Sequence, residues 1–272
     1  MKATYRFVFV FILLMTTQTF SQMYQTETTN NSKLLPRQLI DIPTANTLEA
    51  HWVASEIRTF DNGGILLGMQ VGITDHFMVS GSFGGENILG EGEIALYETP
   101  GIGFRLQLHQ DYLAMPAIAI GFDSQGYDSY VDSLSRYRIK SRGIYAVMSK
   151  NYSSINFDLG LHGGLNYSLE KEDGDSDINI FMGANVFFGK NREFMFHAEY
   201  DLAMNDNGSG SIGEGDGYLN AGMRWSFEPN IFPNQLCLEL DFRNLLKNTG
   251  KTVEGQEISY NRILKLVFLG YF

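Results

Sequence analysis

The sequence predicts an all-β chain: a closed antiparallel transmembrane β-barrel of about 12 strands, with about 10–14 as the range the pattern allows. Three observations carry this. Apolar and polar residues alternate with period two through most of the chain, as they do when strand side chains point to opposite faces. Most runs span roughly 9–14 residues, against a mode of about 5–6 for soluble strands and about 9–11 for strands that cross a bilayer. The connections alternate between short and long, as periplasmic turns and outer loops do in outer-membrane barrels.

At the start, Lys2 and Arg6 flank the apolar run Phe7–Met15, followed by the small and polar residues TTQTFSQ. This layout predicts a signal peptide over 1–21, cut after Ser21. A helix that spans a bilayer needs about 20 apolar residues, more than this run offers. Removing 1–21 leaves 18 basic and 31 acidic residues, a charge of -13. No later segment resembles a transmembrane helix. Residues 22–47 open on the polar stretch QTETTNNSK and are predicted to form a flexible periplasmic leader; the barrel takes 48–272.

The predicted strands are 48–58, 63–74, 76–84, 100–109, 115–123, 140–150, 154–167, 177–188, 193–204, 217–228, 235–244 and 260–272. In the fourth, Ile102, Phe104, Leu106 and Leu108 alternate with Gly103, Arg105, Gln107 and His109. The ninth alternates Phe194, Phe196, Ala198 and Tyr200 with Met195, His197, Glu199 and Asp201. In the eleventh, Leu236, Leu238, Leu240 and Phe242 alternate with Cys237, Glu239, Asp241 and Arg243. Alternation is broken in the first, third and fifth. Short connections such as Thr74–Asp75 and Asn151–Ser153 alternate with long ones at 85–99, 124–139, 168–176, 205–216 and 245–259. The tight first hairpin, Phe60–Gly63, is the exception. The last run puts Leu264, Leu266, Phe268, Gly270 and Phe272 on one face, similar to the closing strand of bacterial outer-membrane barrels.

Lipid offers no partners to backbone N–H and C=O groups, so a sheet crosses it only as a closed barrel. The oily stripe then faces acyl chains and the polar stripe lines the lumen. That places Arg105, His109, Asp158, His162, His197, Glu199, Asp201, Arg224, Glu239, Asp241, Arg243 and Lys265 along the interior. Acids and bases are nearly balanced there, which favours mutual pairing over a charge-selective path. A mean hydropathy of -0.13 fits a wall that is only half oily.

Composition excludes other classes. A formal charge of -11 argues against a nucleic-acid partner, which needs a basic face. One Cys excludes a disulfide framework and multi-cysteine metal sites. Gly208–Gly213 reads G-x-G-x-x-G but sits between antiparallel strands rather than in a βαβ unit. Asp173, Asp175 and Asp177 are spaced as Ca²⁺ ligands, yet Ile178 and Ala184 stand where an EF-hand needs Gly and Glu. That run reads as a solvated outer loop, with a loose Ca²⁺ site near lipopolysaccharide phosphates as the sharper alternative. No G-x-S-x-G elbow or HExxH motif is present. No catalytic residue, cofactor or metal ligand is assigned, and the chain is read as a non-enzyme.

Two stretches carry a family resemblance: Ile40–Ala45 (IDIPTA), and Pro116–Asp123 with the later KSRGIYAVMSKNY at 140–152. They resemble the YjbH-like barrel proteins of Gram-negative outer membranes. Members are typically longer, with repeated units, and this chain matches one barrel. The resemblance implies a role in exopolysaccharide production or export, with a polysaccharide or export-machinery partner. The barrel reading itself implies outer-membrane lipid and lipopolysaccharide as surroundings, and a role in envelope structure or passage. Three rivals are a small-solute porin, a lipase-like barrel hydrolase with a Ser–His contact at its wall, and a soluble sandwich burying Phe104, Phe196 and Leu238 between two layers.

Overall fold

The computed structural model describes residues 35–90, 92–227, 235–248 and 261–271. The predicted signal peptide and residues 22–34 of the predicted leader lie outside these residues. The strands are β1 (Trp52–Phe60), β2 (Gly64–Thr74), β3 (Phe77–Glu86), β4 (Ala95–Leu96), β5 (Gly101–His109), β6 (Ala117–Asp123), β7 (Tyr127–Val131), β8 (Arg136–Ile139), β9 (Gly143–Ser153), β10 (Asp158–Tyr167), β11 (Asn179–Phe188), β12 (Phe194–Asp201), β13 (Tyr218–Phe227), β14 (Gln235–Arg243) and β15 (Asn261–Tyr271). Twelve of them form a closed antiparallel barrel: β1, β2, β3, β5, β6 and β9 to β15, with β15 pairing back on β1 from Trp52↔Tyr271 to Arg58↔Lys265. Each predicted strand has its counterpart, with ends displaced by up to four residues.

The remaining strands lie in stretches predicted as loops. β4 adds two residues to the end of β3, Gly85 pairing with Leu96. β7 and β8 form a hairpin inside 124–139, joined through a 3-10 turn at Asp132–Leu134 and Ser135 in the left-handed region. That stretch carries Tyr127, Tyr130, Val131, Tyr137 and Ile139, and burial of these side chains drives the folding of the loop.

The oily stripe faces outward. Phe104 is 46 % exposed and Phe196 54 %, so the two-layer sandwich is excluded. Near the short-turn end, Phe188 stacks on Phe194 and Phe196 with ring centroids 5.5 and 5.0 Å apart, and Phe194 continues to Trp225. Such an aromatic band suits the boundary between lipid and water.

An apolar core also lies inside the barrel. Leu39, Ile42 and Ala45 pack against Ala117, Ala119, Tyr145, Val147 and Phe181. This explains the broken alternation of β6: its inward Ala117 and Ala119 meet apolar chain rather than water. The predicted flexible leader is therefore corrected over 35–47. Leu39, Ile40, Ile42 and Ala45 are fully buried, because each removes apolar surface from water worth about 1.5–3 kcal/mol for a side chain of Leu or Ile size.

Candidate functional site

The element that fills the lumen is a hairpin of residues 36–46. Gln38 bridges Pro43, the Thr44 amide donates to the Arg37 carbonyl at 3.0 Å, and the Leu39 amide donates to the Ile42 carbonyl at 3.1 Å. Both arms point toward the short-turn end, where residues 47–50 lead into β1 and Ala50 donates to Asp75. The tip, Ile40–Asp41, reaches toward the long-loop half.

Strand register builds the seat for this tip. Ser149, His162, Gly183, Glu199 and Asn220 are successive cross-strand partners on β9 to β13, so they share the inner face. Glu199 takes the amides of Ile40 (2.9 Å), Asp41 (2.9 and 3.1 Å) and Ile42 (3.2 Å), and the Asn220 amide at 2.7 Å. A Cβ on Gly183 would lie 2.5 Å from Leu39 Cδ1, so the hairpin packs directly against the wall there. Asp41 pairs with Arg58 and Arg243, the latter at 3.3 Å. Arg58, Arg142 and Lys265 donate to the carbonyls of Ile40, Asp41 and Leu39. On the far wall, Arg105 donates to the Arg37 and Asn46 carbonyls at 2.8 and 2.6 Å, and Gln107 to that of Ala45. Buried charges are tolerable only when paired and hydrogen-bonded, and this arrangement meets that need.

Nine of the twelve residues assigned to the lumen from sequence are buried: Arg105, His162, His197, Glu199, Asp201, Glu239, Asp241, Arg243 and Lys265. Arg224, Glu239 and Lys265 form a row across β13 to β15, with Glu239 2.5 Å from Arg224 and 2.8 Å from Lys265. His197 Nε2 lies 2.8 Å from Asp241 Oδ1. His197, Glu239 and Asp241 stand close enough to share a cation, and the Lys265 ammonium is beside them, 3.2 Å from Asp241 Oδ2. His109 and Asp158 stand apart from this group, near the short-turn end. His109 contacts the Pro116 carbonyl through Nδ1, and Asp158 pairs with Arg192 at 2.8 Å.

The structure adds residues that the sequence reading passed over. Asp41 lies in the predicted leader, Arg142 within the predicted strand 140–150 although it precedes β9, and Arg58 on a strand with broken alternation. Ser149, His162 and Asn185 also meet: Ser149 Oγ is 2.7 Å from His162 Nδ1, and His162 Nε2 is 2.8 Å from Asn185 Oδ1. This is the kind of contact a barrel hydrolase would use. Here Ser149 is 1 % exposed and its oxygen accepts the Ala45 amide at 2.8 Å, so the trio anchors the hairpin.

The β7–β8 hairpin closes the lumen from the long-loop end. Tyr127 receives Gln38 Nε2 on its hydroxyl and carries Arg58 over its ring at 4.2 Å. Asp128 pairs with Arg243 and accepts Asn261. Farther out, Arg136 and Lys140 bind the neighbouring loops: Arg136 lies 2.6 Å from Asp206, and Lys140 2.8 Å from Asp173. Both readings of the Asp173–Asp177 run are corrected in part: Asp173 and Asp175 are buried, and Arg136 and Lys140 meet Asp173 directly. The Asp175 carboxylate accepts the Asn207 and Gly208 amides at 3.0 and 2.9 Å. The G-x-G-x-x-G run serves packing. A Cβ on Gly210 would collide with the Asp173 carbonyl, and one on Gly213 with that of Asp206.

No family model matches the chain, and no curated protein does. Solved structures do. One is a KdgM porin, 9% identical, covering 80% of this chain and 98% of that one at a TM-score of 0.46. Another is an outer-membrane channel from Pseudomonas putida F1, 11% identical over 82% of this chain and 97% of that one, at 0.40. A third is the DcaP channel of Acinetobacter baumannii, 9% identical over 80% and 95%, at 0.31.

Between the two hairpins a cavity of about 70 Å³ remains on the β1–β3 side. A second cavity, of about 10 Å³, lies among Lys140, Arg142, Asn166, Asp201, Asp206 and Tyr218.

Proposed function

We propose that this protein is an outer-membrane passage barrel held shut by its own N-terminal hairpin. The observation that carries the reading is the Glu199 carboxylate gripping three successive hairpin amides at the centre of the lumen. The outward apolar face calls for lipid, and a closed barrel is the sheet form lipid accepts. Together with the predicted export signal, this supports an outer-membrane location among lipid and lipopolysaccharide. The filled interior supports a gated role over a permanently open porin: cargo passes only when the hairpin moves. Burial of Ser149 under the hairpin supports a non-enzymatic role.

Two cargo classes follow from separate observations. The resemblance to YjbH-like proteins supports exopolysaccharide, since Ile40–Ala45, one of the stretches that carries it, forms the hairpin tip and its return arm. The small residual cavity supports a small solute. A deletion strain scored for capsule or biofilm polysaccharide separates them.

Planar-bilayer recording tests the gate. The intact protein is expected to show no steady open state, and deletion of 36–46 together with the outer hairpin at 127–139 to produce stepwise channel currents. Steady conductance by the intact protein would overturn the reading. So would a deletion variant that still runs as a heat-modifiable folded barrel yet passes no current.

A further inference from the structure

The lumen hairpin and the outer β7–β8 hairpin are two lids that touch inside the barrel. Gln38 Nε2 of the first donates to the Tyr127 hydroxyl of the second. The Tyr127 ring also carries Arg58, whose Cζ lies 4.2 Å from the ring centroid. That same guanidinium donates to the Ile40 carbonyl at 3.0 Å and pairs with Asp41. Tyr127 therefore meets the lumen hairpin twice, once directly and once through Arg58. Arg243 reaches both lids from the wall: Nη1 lies 3.3 Å from Asp41, and Nη2 pairs with Asp128. Tyr127, Arg58, Arg243, Asp41 and Asp128 are all buried. Beyond this junction each lid has its own fastenings. Glu199 and Arg105 hold the lumen hairpin. Arg136 and Lys140 tie the outer one to Asp206 and Asp173, and the Tyr137 amide donates to Glu170 at 3.1 Å.

We propose that the two lids are interlocked through Tyr127, so that unseating either one loosens the other. This rests on the passage reading and adds a control to it: an event at the long-loop face is relayed to the hairpin tethered at the short-turn end. The contacts give the sign. The Gln38–Tyr127 bond exists only while both lids are seated, so the departure of either removes it from the one that stays. The ring attracts the Arg58 guanidinium, and without the ring Arg58 loses one of the contacts that fix it beneath Ile40 and Asp41. Arg243 acts differently. Two acids share it, so one gains what the other gives up, and it positions the lids without setting the sign. Coupling of this kind is reciprocal, since each lid must loosen the other by the same factor. Its physical basis is a pair of elements with seated and unseated arrangements that bias each other through a direct contact.

Glu199 supplies the test, because its hydrogen bonds go to the lumen hairpin and Asn220 and not to the outer hairpin. Hydrogen–deuterium exchange of the intact protein in nanodiscs, read by mass spectrometry, follows both lids at once. Glu199→Ala should speed exchange in 36–46 and also in 127–131, the latter by about fivefold, the size of one net hydrogen bond. Tyr127→Ala should speed exchange in 36–46 by a similar factor. In that background, adding Glu199→Ala should leave 127–131 no faster. Tyr127→Phe keeps the ring over Arg58 and loses the hydroxyl, so it should give a smaller effect of the same sign. An outer hairpin indifferent to Glu199→Ala, or a lumen hairpin indifferent to both Tyr127 variants, would overturn the proposal. So would an outer hairpin that answers Glu199→Ala equally with and without Tyr127. Heat-modifiability checks that each variant keeps its barrel, and Tyr127→Phe decides the matter if the alanine variant does not fold. The gate is judged separately by the conductance of the barrel lacking both hairpins, so either idea can fail alone.

Discussion

Glu199 and Asp41 meet through backbone: both Glu199 carboxylate oxygens accept the Asp41 amide, at 2.9 and 3.1 Å. The same carboxylate serves Ile40 and Ile42, so one strand residue holds the turn of the lumen hairpin. Replacing it by alanine leaves buried amides without partners, each costing about 1–3 kcal/mol. Glu199→Ala should therefore loosen the hairpin while the barrel stays closed. Trypsin cleavage after Arg37 should speed up by at least about tenfold, the factor that about 1.4 kcal/mol represents. An unchanged cleavage rate would mean that the cradle does not hold the hairpin.

The outward stripe makes its own prediction. Ile120 is 41 % exposed midway along β6 and pairs with Leu106 and Ala146 across the wall. Ile120→Arg should destabilise the folded barrel in lipid vesicles by about 2–4 kcal/mol, the cost of a charge near the bilayer midplane. Urea unfolding in the same vesicles reads this. A variant as stable as the parent would place that face in water.

Much of this fold was legible in the sequence because period-two alternation reports which face is wet. The twelve barrel strands follow from it, as does the burial of His162, His197, Glu239 and Asp241. The same rule misses the interior core. In Ala117–Phe122 both faces are apolar, since the inner face meets Leu39 and Ile42 instead of water. The hairpin was hidden for a related reason. Ile40-Asp41-Ile42-Pro43 has no period of its own, and its burial depends on Glu199, Arg58 and Arg243, which are distant in sequence. The outer lid is a third case: Tyr127, Tyr130 and Tyr137 mark an apolar segment, but its place between β6 and β9 made it read as a loop.

Ser149, His162 and Asn185 have the polarity of a nucleophile, base and orienting group, so their inactivity can be tested. The Ala45 amide occupies a Ser149 lone pair, and the residue is buried. A fluorophosphonate probe should leave Ser149 unlabelled in the intact protein. Covalent labelling there, lost in His162→Ala, would make the trio a hydrolase site.

The outer loops carry a pH signature. Burial raises the carboxyl pKa of Asp175, but the amides of Asn207, Gly208 and Asp177, then the Lys140 ammonium, outweigh it and hold the group below its ordinary value. A carboxyl depressed in the folded state stabilises it above the unfolded value of about 3.9, and that contribution fades as pH falls through the folded value. Exchange protection of the Asn207 and Gly208 amides, corrected for intrinsic pH dependence, should hold from neutral pH to about pH 4 and drop below it. Protection that stays constant into stronger acid would remove Asp175 from this role.

The most direct measurement is a disulfide between the hairpin and the wall. Leu39 Cδ1 lies 2.5 Å from where a Cβ on Gly183 would sit. Leu39→Cys with Gly183→Cys, in a Cys237→Ala background, should cross-link on oxidation of the folded barrel in membranes and shift its mobility on unreduced gels. A barrel that folds with both thiols free after oxidation would place the hairpin outside the lumen.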